Sequence, residues 1–179
     1  GTILMITLDM SLTVDNSVDK VAFRQKVLTV EEGMKQRVSD KISVQADCPL
    51  KHYFTPKDDK YGCHVYAREI LLPKGSVVIG KIHRHQHLNI ISKGKVTVFT
   101  EFGKKELTAP CTFVSEVGLK RAVYSQEDTI WTTIHLTEHM GEDNLNKIEA
   151  EVIAPTYSDL NLLSSLKELE ALENTGETL

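Results

Sequence analysis

The chain has 179 residues, a length that buries one sizeable core and leaves a second full domain crowded. Its 21 Lys and Arg against 25 Asp and Glu give a net charge of −4, so there is no basic surplus of the kind that attraction to phosphate backbones favours, and nucleic acid is excluded as a general partner. Three cysteines, Cys48, Cys63 and Cys111, are odd in number and outside any CxxC pattern, which argues against a disulfide framework or a zinc knuckle.

No apolar run reaches membrane-spanning length, and the opening GTILMITLDM has neither the basic start nor the small-residue cleavage site of a secretory signal. A reducing cytosol is the expected compartment, with no membrane partner. The first predicted element is a helix over residues 18–38: Val18, Val21, Phe23, Val27, Val30, Met34 and Val38 recur at near-helical spacing after the cap-forming Asp15-Asn16-Ser17. Residues 39–61, with two prolines and a run of charge, read as a loop feeding a new unit.

From residue 64 to 136 the pattern changes to short strands of period two: HVYAREILL, VVIGKIHRHQHLNII, KVTVFTEF, KKELTA, TFVSEV, RAVYSQ and TIWTTIHLT. Turn residues separate them, at Pro73-Lys74-Gly75, Ser92-Lys93-Gly94, Phe102-Gly103-Lys104, Val117-Gly118 and Gln126-Glu127-Asp128. This predicts an all-β sandwich or barrel. Beyond it, NLNKIEAEVIAP fits either a short helix or a final strand. Residues 158–173 place Leu160, Leu163, Leu166 and Leu169 on one stripe behind a Ser158 cap, predicting an amphipathic helix. The expected organisation is one domain: helix and linker over 1–61, barrel over 62–140 and a C-terminal segment over 141–179.

Residues 80–94, GKIHRHQHLNIISKG, carry the chemistry. On a continuous strand Lys81, His83, His85, His87 and Asn89 share one face, and Ile82, Arg84, Gln86, Leu88 and Ile90 the other. If the histidine face looks inward, the interior is polar, and each polar group buried without a partner costs about 1 to 3 kcal/mol. A ligand, an ion or a hydrogen-bond network must then satisfy it.

Here the sequence resembles the cupin superfamily, whose first motif runs G(X)5HXH(X)3–4E(X)6G and whose second runs G(X)5PXG(X)2H(X)3N. Starting from Gly75, the first lands on Lys81, His83, His87 and Gly94; the second lands on Pro110, Glu116, Gly118, Arg121 and Ser125. The resemblance implies a mainly β fold, a cupin-like β-barrel of the double-stranded β-helix or jelly-roll kind, with flanking N-terminal and C-terminal helices. It also implies four metal-binding positions, which here hold Lys81, His83, His87 and Arg121. Lys and Arg are cations at neutral pH and do not normally ligate a divalent metal. A register slipped by two makes His83 and His85 the HXH pair and puts Asn89 where Glu belongs. Across most of its length the chain is also similar to cupin-type accessory proteins of tailed bacteriophages.

Two main functions follow from these residues. In the first, the protein is a non-enzymatic binder of a small anion, a metabolite or signalling nucleotide, using Lys81, His83, His85, His87, Arg121 and His135. The alternative for the two cations is pairing with Glu69, Glu101 or Glu116. In the second, it is a metal-dependent isomerase, oxygenase or hydrolase, in which His83, His85 and His87, joined by His135 from the last strand, hold zinc, iron, nickel or manganese. A third reading makes the barrel a virion or assembly scaffold. A homo-oligomer is expected from the resemblance.

Overall fold

The computed structural model describes residues 20–39 and 48–160. Helix α1 spans Lys20–Ser39, close to the expected 18–38. Ten of the strands are β1 (Leu50–Phe54), β2 (His64–Leu72), β3 (Val77–Ile79), β4 (Ile82–His83), β5 (His87–Lys93), β6 (Lys95–Thr100), β7 (Gly103–Thr108), β8 (Cys111–Ser115), β9 (Ala122–Ser125) and β10 (Thr129–Thr137). Helix α2 (Leu145–Val152) then runs directly into a short β11 (Ile153–Ala154), so the segment that fitted either a helix or a strand is both in succession.

The strands pair in nested antiparallel fashion, β2 with β10, β3 with β9, β5 with β8 and β6 with β7. This is a long hairpin wound into two facing sheets, β1-β2-β10-β5-β8 and β3-β9-β6-β7. The fold is therefore the mainly β jelly roll, or double-stranded β-helix, that the alternating pattern and its resemblance led us to expect. No helix among the described residues is long and apolar enough to cross a membrane.

One end of the space between the sheets is an apolar core of Ile70, Leu72, Ile91, Val96, Val98, Val123 and Trp131, with Cys48 beside them. Helix α1 covers the outer side of the four-stranded sheet. Its stripe at four, three and four residue steps sets Phe23 and Val27 against Phe99, and Val30 and Met34 against Val77. Arg24 pairs with Glu101 at 2.8 Å and Glu31 with the buried Lys120 at 2.7 Å, fixing the helix to the barrel.

Three expectations need correction or limits. The predicted linker over 39–61 contains β1, which extends the larger sheet by pairing along β2. Pro49 and Pro56 bracket it, and its residues are largely solvent-facing, as suits an edge strand. The histidine strand is not continuous: it stops at His83, bends over residues 84–86 and restarts at His87. The predicted C-terminal helix over 158–173 lies outside the described residues except for its first three positions.

Candidate functional site

Strand alternation and cross-strand register stack the inner face of the larger sheet in rows. Above the pair of Leu72 and Thr129 comes a row of Ile70, Trp131, Ile91 and Cys111, part of the apolar core. The next is His52, Arg68, Thr133, Asn89 and Phe113. Above it Phe54, Tyr66 and His135 are aligned, as are His87 and Ser115. Polarity thus rises step by step toward one end of the barrel.

The bend over residues 84–86 brings His83 back over this upper row. Its backbone is held on both sides, by pairing of β4 with β11 and by the Gly118 N–H donating to the His83 carbonyl at 2.9 Å. Arg84 fixes the bend itself: its N–H donates to Val152 O and its Nε to Ile153 O, each at 2.8 Å. The ring centroids of His83 and His87 then lie 4.1 Å apart, of His87 and His135 4.7 Å, and of His83 and His135 5.4 Å. One ring nitrogen from each of the three lies within 4.8 Å of the other two.

These imidazoles are built to stay neutral. Burial pushes His83 down to about 2, helped by the neighbouring His87, His135, Arg121 and Arg68; burial likewise pushes His87 and His135 down to about 4. Neutral imidazole offers one lone pair and one N–H. His87 Nδ1 faces the carbonyl of His85 at a long 3.4 Å, so its N–H donates there and its lone pair sits on Nε2. That Nε2 is buried and has no hydrogen-bond partner among the described residues. An orphaned lone pair facing two further imidazoles fits a divalent transition metal, and the all-nitrogen donor set suits zinc, iron or nickel better than manganese, which prefers oxygen ligands.

The other polar groups of the cavity differ in how far they are already satisfied. Asn89 is fully buried but fully engaged, accepting from Trp131 Nε1 at 2.9 Å and donating to Ser115 Oγ at 2.6 Å. The Tyr66 ring stacks between Phe54 and His135, and its hydroxyl meets His52 Nδ1 at 2.7 Å. Arg121 lies over the faces of Phe113 and Trp131 at 5.5 and 5.7 Å, and burial lowers it to about 10, still charged at neutral pH.

Of the residues singled out in the sequence, His83, His87, His135 and Arg121 meet in this cavity. His85 is exposed on the bend between β4 and β5 and is not among the three ring nitrogens that come together, although it is near enough to His135 to help lower its pKa. Lys81 stands at the rim, ion-paired with Glu149 of α2. Glu69, Glu101 and Glu116 are engaged elsewhere, with Lys51, Arg24 and Gln86 respectively, so none of them neutralises Arg121. Sequence reading missed Arg68, Tyr66's partner His52 and the bend. Arg68 left one trace, a charged residue on the same alternating face as Tyr66, Ile70 and Leu72.

No protein-family model matches the chain, and no curated protein matches it. Among solved structures, KdgF from Halomonas sp. is 15% identical, covering 56% of this chain and 93% of its own, with a TM-score of 0.40. An RmlC-like cupin from Shewanella frigidimarina is 19% identical over 48% of this chain and 74% of its own, with a TM-score of 0.37. A cupin superfamily protein from Desulfitobacterium hafniense is 14% identical over 52% and 83%, with a TM-score of 0.39. The jelly-roll assignment rests on the strand order above, and the structure neighbours of this chain are cupin-superfamily proteins.

Proposed function

We propose that the barrel is a divalent transition-metal centre held by His83, His87 and His135, and that it serves to bind a small anionic molecule beside the metal. The observation that carries this reading is the buried, unpartnered His87 Nε2 facing two other neutral imidazoles within 4.8 Å. A structural network would have satisfied that atom, as Asn89 is satisfied one row below. Arg121 supplies the positive charge for the anion. When bound, the metal supplies a Lewis acid with open positions, because three protein ligands leave room for a further one. In the bacteriophage setting implied by the sequence resemblance, the anion is a host metabolite or signalling nucleotide.

A second reading is turnover at the same centre, with the Tyr66 hydroxyl, 2.7 Å from His52 Nδ1 and beside His135, as the group that orients the substrate.

The test is calorimetric titration of zinc and cobalt into chelator-treated protein. The expected result is one site per chain, weakened by at least about a hundredfold in His87→Ala, since one of three ligands is lost. Unchanged affinity in His87→Ala removes the reading. His85→Ala is the control, expected to bind metal like the parent because its ring is exposed.

A further inference from the structure

We propose that the outer face of the larger sheet is the surface on which a second copy of this chain docks, forming a two-fold symmetric dimer. This face is the opposite side of β5 and β10 from the inward His87 and His135, so the proposal stands apart from the metal centre.

Strand register builds the face in rows. Tyr53, Ala67, Ile134, Leu88 and Val114 are aligned across all five strands, and this row is apolar from one edge of the sheet to the other. Val65 and Leu136 pair in the row above it. Tyr53, Val65, Leu88, Val114 and Leu136 are between 39% and 66% exposed, so no described element covers them. A sheet with one face in water sets polar residues at its outward positions, and this row departs from that pattern over its whole width. On its other side, Lys51, Glu69, Thr132 and Thr112 return to polar character. An apolar centre beside a polar margin is the anatomy of an interface.

The occupant follows from three further observations. The outer side of the smaller sheet is already taken by α1, which leaves the larger sheet as the open one. The described chain also ends away from the face: Arg24 of α1 lies 4.5 Å over the Tyr157 ring, and Leu160 lies against Gly118 in the connection to β9. The size is right for a second copy. At about 3.3 Å per residue the nine-residue β2 and β10 run for ~30 Å, and five strands at about 4.8 Å span ~20 Å. The face therefore offers on the order of 600 Å² per copy, and two copies bury about 1,200 Å², the lower end of the range for stable interfaces. A row without charge meets itself under two-fold symmetry without opposing like charges, and such a contact closes at two subunits.

The experiment is sedimentation velocity of the full chain over a range of concentrations. A dimer should predominate at about 10 μM, and Leu88→Glu should shift it to monomer with at least about a hundredfold weaker association, because each dimer would bury two carboxylates. Phe102→Glu, an exposed apolar residue at the β6–β7 turn of the other sheet, should sediment like the parent. Thermal melting checks that Leu88→Glu is folded; if it melts early, Val114→Ser and Leu136→Ser together decide the matter by weakening association without a buried charge. A parent chain that stays monomeric at about 100 μM overturns the proposal. So does a dimer or larger species that both the Leu88 variant and the Val114, Leu136 pair leave unchanged.

Discussion

At the scale of single residues, the inner face of β5 shows how neighbouring polar groups acquire opposite roles. His87 and Asn89 are two positions apart and both are buried, yet Asn89 has both ends of its amide engaged while His87 retains a free Nε2. Asn89→Ala should lower unfolding free energy by about 2 to 3 kcal/mol, because it leaves the buried Trp131 N–H without an acceptor; urea unfolding measures this. The histidines make stability depend on pH. In the unfolded chain they take up protons as pH falls through about 6.5, whereas in the fold His87 and His135 resist until about 4 and His83 until about 2. The unfolded state therefore binds more protons across that window, and stability is lost as pH falls below about 6.5. The melting temperature of chelator-treated protein should drop between about pH 7 and pH 4.5, and His83→Gln should flatten that slope.

Elements set where these residues can go. The sequence marks β5 and β10 by clean alternation, so it was legible from residue type alone that His87 and Asn89 share one face, and Trp131 and His135 another, while which face looks inward was left open. The bend over residues 84–86 was not legible, because it depends on partners far along the chain. Arg84 is pinned by carbonyls of Val152 and Ile153, more than sixty residues away. A charged residue inside an alternating run reads locally as strand, and only α2 and β11 supply the acceptors that turn it. Arg68 was illegible for the converse reason. Its strand follows the pattern perfectly, and which of its faces is inward is settled only when β10 pairs with it. Arg84→Ala should loosen β4 against β11 and weaken zinc binding by about tenfold or more through the position of His83, as loss of a supporting contact to a ligand does. Little change in zinc affinity would show that the Gly118 contact alone holds His83.

Over the whole molecule the barrel divides into a floor that stabilises and a rim that binds. The apolar rows and the α1 contacts carry the burial that stabilises the fold, while the upper row carries groups that a core would not choose. On this division, saturating metal should raise the melting temperature of the parent and not of His83→Ala; a bound ligand at a hundred times its dissociation constant contributes about 2.7 kcal/mol. The central claim is that one metal ion sits among His83, His87 and His135. A crystal structure of metal-loaded protein, with diffraction recorded on both sides of the metal's absorption edge, tests it most directly. The account predicts one anomalous peak within bonding distance of all three imidazoles, whereas a peak held by other residues, or imidazoles bonded only to one another and to water, would contradict it.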